Sequence, residues 1–230
     1  GLRAVFFEDD TLAADKARCR ELCKTILSRG LAFAWTANGR ADLDYETLAL
    51  MHRAGCRMVC VGFESADAGA LAAVSKGLTE GAAERFMADA RRAGMLVHGC
   101  WIFGLPGDTR ESVLRTIDLA VRLNTDTAQF YPAIPYPGTA MYAQYKAKGW
   151  LATENFSRWL TPAGQHACVV RTDDLGPEEI DGLCRLARRR FYLRPRFLAR
   201  RVWRCLTDPV ELRRTLRAGR TFGRHLITGA

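Results

Sequence analysis

The residues of this chain best suited to chemistry stand where its apolar runs give out. The run from Leu96 to Phe103 closes on Gly104-Leu105-Pro106-Gly107-Asp108-Thr109, and other runs end in Glu8-Asp9-Asp10, Asn38-Gly39-Arg40 and Gly62-Phe63-Glu64-Ser65. A last one passes through Gln129 to Tyr136. Glycines at such an end let the backbone approach a flat or charged group, and Pro106 fixes the turn. Asp108 is placed to cap the helix that follows, with Glu111 three residues on to close a capping box. Two readings of this turn stand side by side: a purely structural strand-to-helix connection, or a strand whose end opens toward a ligand.

The elements that must position these residues alternate regularly. Apolar runs at residues 2–7, 31–37, 58–63, 96–103 and 126–134 read as strands. Helical patterns lie between them over 12–28, 45–54, 68–74, 80–93 and 110–123, with Gly30, Gly55 and Gly94 at C-terminal cap positions and Asp44 at an N-cap. The strands recur at a spacing of roughly 25 to 35 residues, that of a βαβ unit, so right-handed crossovers impose a parallel sheet. The polar strand ends then gather at one edge, where α/β folds place their sites. After Gly149 the pattern turns irregular and aromatic, and a helix beginning at Gly176-Pro177 merges into an arginine-rich tail.

Composition bounds the function. A chain of 230 residues that is 48% hydrophobic buries a full core. It has no apolar run long enough to span a membrane and no secretory pattern, which points to the cytoplasm. The eight cysteines are scattered, as reduced core thiols are, and do not form a dense disulfide framework. The net charge of +9 belongs to the tail: from Arg185 to Arg224 there are fourteen arginines and two acids, Asp208 and Glu211. Interleaved with Phe191, Tyr192, Phe197 and Trp203, these arginines suit an anionic membrane surface, nucleic acid, or simple solvation.

Five ordered motifs carry a resemblance. Phe6-Phe7-Glu8-Asp9-Asp10-Thr11, Gly39-Arg40-Ala41-Asp42, Gly62-Phe63-Glu64-Ser65, Phe103-Gly104-Leu105-Pro106-Gly107-Asp108-Thr109 and Tyr136-Pro137-Gly138-Thr139 together resemble the radical S-adenosylmethionine (SAM) enzymes over about residues 1–150. Within that superfamily the likeness is to the cobalamin-binding branch, leaning to its hopanoid-biosynthesis-associated members. Phe191-Tyr192-Leu193-Arg194-Pro195 is similar too. The resemblance implies an α/β fold, a partial parallel (β/α)6 TIM-like barrel missing its first strand. Residues 1–150 would form the radical SAM core from strand two onward, and residues 151–230 a helical, arginine-rich C-terminal extension.

The same resemblance implies cofactors and roles. Such enzymes hold a [4Fe-4S] cluster through Cys-x3-Cys-x2-Cys, and that motif is absent: Ile26 follows Cys19 and Cys23 where a third cysteine belongs, and Phe63 follows Cys56 and Cys60. The expectation is therefore an N-terminally truncated piece, inactive by itself, with the cluster ligands and any cobalamin domain outside it. The parent enzyme would cleave SAM reductively to a 5′-deoxyadenosyl radical, the electron coming from an electron donor protein. Its substrate would be a lipid or polycyclic small molecule, including hopanoids, methylated or rearranged. Asp9 and Asp10 would face the SAM ammonium, Arg40 its carboxylate, Glu64 and Ser65 the ribose hydroxyls, and Ile102 to Gly104 the adenine. Each also has an ordinary reading, as a helix cap or an exposed loop residue. Asp108, standing where relatives often carry Glu, suits a cap. Gln129 and Tyr136 are candidate substrate contacts; with His98 and Tyr131 they point either into the barrel or toward its outer helices.

Two other readings compete. A Schiff-base lyase barrel needs a lysine at a strand end, and none is there. A nucleic-acid-binding module would rest on the arginine tail alone, which lacks ordered motifs for reading bases. Peripheral membrane contact through residues 185–224 ranks above nucleic acid.

Overall fold

The computed structural model describes residues 4–9, 11–73, 81–161, 164, 166–207, 212 and 215. Five strands, β1 (Ala4–Phe7), β2 (Ala34–Gly39), β3 (Cys56–Glu64), β4 (Leu96–Phe103) and β5 (Thr127–Pro132), form one sheet in the order β1-β2-β3-β4-β5. The pairs β1–β2, β2–β3 and β3–β4 are parallel, with Phe6 opposite Thr36, Asn38 opposite Cys60, and Cys60 opposite His98. Sequential order in a parallel sheet is the outcome of one crossover hand used throughout. The sheet is not closed, and it matches the partial-barrel expectation.

Helices α1 (Lys16–Ser28), α2 (Tyr45–Arg53), α3 (Ala68–Ala73), α4 (Ala82–Arg92) and α5 (Arg110–Leu123) make the crossovers. α6 (Ala140–Ala147), a 3-10 turn (Phe156–Arg158), α7 (Pro177–Tyr192) and α8 (Pro195–Thr207) follow the sheet. The chain divides into two compact units, one of residues 1–102 with 111–129, the other of 103–110 with 130–230.

Two of the boundaries that differ from the sequence reading do so for local reasons. α1 starts at Lys16, not near Leu12, because the Asp15 carboxylate accepts from the N–H groups of Ala17 and Arg18 and sets the N-cap there. Leu12 and Ala13 are buried all the same, in a turn closed by Ala14 N–H to the Thr11 carbonyl. β2 starts at Ala34, not Leu31, because Leu31 N–H still bonds back to Ile26 in the helix C-terminal motif. Asp44 caps α2 as expected, accepting from Thr47 N–H at 2.9 Å.

In the first unit the sheet has one covered face. Trp35, Ala37, Val59, Val61, Val97, Gly99 and Trp101 are buried, as are Leu48 and Met51 of α2, Phe86 and Met87 of α4, and Val113 and Ile117 of α5. Phe63 stacks on Trp101 at 5.1 Å between ring centres, and Phe7 meets Trp35 edge-on. By strand alternation the opposite face carries Phe6, Thr36, Asn38, Cys60, His98, Cys100, Ile102, Thr127 and Gln129, half-buried or exposed.

In the second unit Phe103, Phe130 and Phe191 form an aromatic core, with Phe130 5.7 Å from Phe191 between ring centres. Tyr145 donates to the Gly104 carbonyl at 2.6 Å, and Arg188 to the Phe130 carbonyl at 3.1 Å.

Candidate functional site

Glu64 ends β3 in a conformation that L-residues rarely adopt. Its φ is +63°, and Ser65 N–H bonds the Phe63 carbonyl at 2.9 Å, so Glu64 is the central residue of a left-handed γ-turn, the rare and strained form. The β3–β4 register shifts between Gly62 and Glu64, a bulge that tucks Phe63 into the core. Glu64 is only 8% exposed. A non-glycine residue in this backbone region costs about 1–3 kcal/mol and persists only where its surroundings enforce it, a feature concentrated at ligand sites.

The neighbouring hydroxyl is differently employed. Ser65 Oγ lies 3.2 Å from Thr116 Oγ1 of α5 and accepts from Asp67 N–H at 3.0 Å, so it ties the start of α3 to α5 within the buried layer.

At the β1 and β2 ends, Asp9 pairs with Arg18 at 3.2 Å while its carbonyl accepts from the Asn38 amide. Arg40 donates to Asp42 at 3.2 Å in a solvent-facing loop. Asp10 lies outside the described residues. Ile102 is half-buried on the sheet's open face.

His98 and Gln129 resolve the question of direction that the sequence left open. His98 Nδ1 is 2.7 Å from Thr127 Oγ1, and Gln129 also hydrogen-bonds the imidazole, so both strands present these groups on the open face. Burial holds the imidazole below its ordinary pKa, with the Gln129 bond acting against that. The register continues this polar row across β3 and β2 through Cys60 and Asn38. Asn38 stood among the polar strand ends of the sequence reading, whereas Cys60, Cys100 and Thr127 were not singled out as site residues. Their signal was strand alternation, which shows its direction only once the cross-strand register is fixed.

In the second unit, Gly104 has φ +83° and its N–H, with that of Leu105, bonds the buried Asp108 carboxylate at 3.0 and 2.9 Å. These bonds close the turn back onto the strand. A Cβ on Gly104 would lie 2.8 Å from Ile180 Cδ1, so the glycine here admits α7. Tyr136 is 55% exposed beyond β5, its carbonyl accepting from Thr139 Oγ1. Arg110 pairs with Glu179 at 2.9 Å.

The cysteines do not fit an iron-sulfur cluster. Among the described residues no three His, Cys, Asp or Glu side chains converge as metal ligands. Cys19, Cys23 and Cys56 are buried. A hydrogen bond from Cys23 pulls Cys19 down and holds Cys23 itself up, and burial pushes Cys56 up to about 12. Cys60, which the sequence suggested was a core thiol, is half-buried on the open face.

No family model matches the chain. It is 34% identical over 204 residues to an uncharacterized methyltransferase of Pyrococcus horikoshii, covering 88% of this chain and 44% of that protein. It is 26% identical to a bacteriochlorophyllide d C-8(2)-methyltransferase of Chlorobaculum tepidum, covering 66% of this chain and 34% of the relative. The chain thus spans less than half the length of these relatives. Among solved structures, the radical SAM methyltransferase TsrM of Kitasatospora setae, with cobalamin and a [4Fe-4S] cluster bound, matches at a TM-score of 0.58 and 21% identity. That match covers 77% of this chain and 37% of the other. Coproporphyrinogen III oxidase of Escherichia coli, a radical SAM enzyme, matches at 0.53 and 20% identity, covering 63% and 35%. The fold is that of radical SAM barrels.

Proposed function

We propose that this chain is the SAM-positioning part of a cobalamin-branch radical SAM methyltransferase. The observation that carries the reading is Glu64: a buried carboxylate held in a strained γ-turn at the C-terminal end of a parallel strand. Its chemistry suits the ribose hydroxyls of SAM, since a carboxylate accepts from both. The 34% identity with a methyltransferase along most of the chain supports the reaction class.

The open face of the sheet would receive the methyl acceptor. There Ile102 and Phe6 offer apolar surface, and His98, Gln129 and Asn38 offer hydrogen bonds. A polycyclic or lipid-like acceptor, hopanoids included, fits such a mixed surface. Two relatives are, by their names, methyltransferases of bacteriochlorophyllide d. An iron-sulfur cluster would supply reductive cleavage of SAM, and cobalamin the methyl carrier. The cysteines of this chain do not fit the cluster, so its ligands are assigned to residues outside these 230, and the chain alone is expected to be inactive.

Equilibrium dialysis of radiolabelled SAM against the chain tests the assignment. Glu64→Gln should weaken binding by about tenfold, the loss of a charge-assisted hydrogen bond. Equal retention by wild type and variant would overturn the role given to Glu64.

A further inference from the structure

α8 is turned inside out relative to an ordinary surface helix. Leu198, Val202 and Leu206 repeat at four-residue spacing along one stripe, exposed by 45%, 58% and 78%, and Trp203 beside them is 67% exposed. The inner contacts come from Phe197, which meets Tyr192 edge-on at 5.1 Å and lies 6.0 Å from Phe191 between ring centres. Arg194, just before the helix, stacks over the Phe191 and Phe197 rings, and burial pulls its guanidinium down to about 10. The helix thus has a fixed seat in the second unit, with its aliphatic stripe left facing water.

Charge selects what would cover that stripe. The thirteen residues of α8 include four arginines and no acid. On a helical projection Arg196 borders the stripe on the Trp203 side and Arg201 borders it on the other. A second copy of the chain meeting this face about a two-fold axis would bring arginine against arginine, with no carboxylate in the helix to answer it. A nucleic acid would satisfy the arginines, but three aliphatic side chains add nothing to phosphate or base contacts. A bilayer interface satisfies both sets at once. Aliphatic groups and the indole enter the headgroup–acyl boundary, and the flanking guanidinium groups reach anionic phosphates.

We infer that α8 is an interfacial helix that docks the protein on an anionic lipid surface through Leu198, Val202, Trp203 and Leu206. The inference stands independently of the methyltransferase assignment.

Co-sedimentation with phosphatidylcholine vesicles, with and without phosphatidylglycerol, tests it on the whole chain. The protein should pellet with the anionic vesicles, weaken as salt rises, and show a blue-shifted tryptophan emission that Trp203→Phe abolishes. Leu206→Glu should cut vesicle binding at least about tenfold, and Arg196→Gln should weaken it less. Both side chains are solvent-facing, so unchanged circular dichroism melts would confirm that the variants fold. Equal binding by Leu206→Glu, or no binding by wild type, would overturn the inference. So would a dimer in light scattering that Leu206→Glu dissolves, or RNA retention in place of vesicle binding.

Discussion

His98 Nδ1 and Thr127 Oγ1 lie 2.7 Å apart, joining β4 to β5 on the face of the sheet that the crossover helices leave open. This bond and that from Gln129 hold the imidazole in one orientation beside Cys60, its neighbour on β3.

Burial keeps His98 below its ordinary 6.5, with Gln129 opposing. A histidine depressed on folding binds its proton more readily in the unfolded chain. Its contribution to stability is therefore complete above pH 6.5 and is lost as pH falls through the folded value. NMR titration of the imidazole carbon should show a midpoint below 6.5, and Gln129→Ala should move it further down. An upward move would mean that Gln129 bonds the neutral ring. Thr127→Val should cost about 1 kcal/mol in urea unfolding, an ordinary hydrogen bond.

Variants at Glu64 separate the stability of its turn from the SAM binding proposed for it. An L-residue in the left-handed region costs about 1–2 kcal/mol that glycine does not incur. Glu64→Gly should therefore be more stable than Glu64→Ala by about that amount in chemical denaturation, while both lose SAM binding alike. If alanine proved as stable as glycine, the turn would have relaxed and the strain assigned to it would be absent.

How much of this was legible beforehand follows from the range of the forces involved. The alternation of strand and helix, and the Asp44 cap on α2, are local properties, and both are read from a few adjacent residues. Asp15 displaced the start of α1 by about one turn because a side-chain cap outweighs the hydrophobic periodicity that begins at Leu12. The bulge at Phe63 and the γ-turn at Glu64 leave no mark in the sequence, since Gly62-Phe63-Glu64-Ser65 is compatible with an ordinary strand end. The row from Asn38 through Cys60 to His98 depends on parallel register, set by two separate crossovers. Gly104 is instructive in another way: its motif suggested backbone approach to a ligand, whereas the side chain filling its missing Cβ is Ile180, on a helix read only as part of the tail.

Asp44 gives the acid limb of stability. Burial pushes its carboxyl up, but bonds from Thr47 N–H, Thr47 Oγ1 and Arg20 outweigh that and bring it down to about 2. A depressed carboxylate stabilises the fold above its unfolded value near 3.8, and the contribution disappears as pH falls through the folded value. Asp44→Ala should thus cost about 1 kcal/mol near neutral pH, the usual worth of an N-cap. The gap between variant and wild type should narrow between pH 4 and pH 2. A gap constant across that window would remove the ionised carboxylate from the account. Arg20→Gln should raise the midpoint of the narrowing, because one of the bonds that hold the anion is gone.

Gly104 and Ile180 form a pair that a double-mutant cycle can isolate. Alanine at 104 incurs the left-handed penalty of about 1–2 kcal/mol. It also drives a Cβ to 2.8 Å from Ile180 Cδ1, an overpacking that costs about 1–3 kcal/mol more. Ile180→Val deletes that methyl and alone should cost about 0.5–1.5 kcal/mol. In the Gly104→Ala background the same deletion relieves the clash, so the double variant should be more stable than the sum of the singles predicts, by about 1 kcal/mol. Additive costs would place the strain in the backbone of the turn alone, and the packing of α7 on the strand end would then not be what requires glycine there.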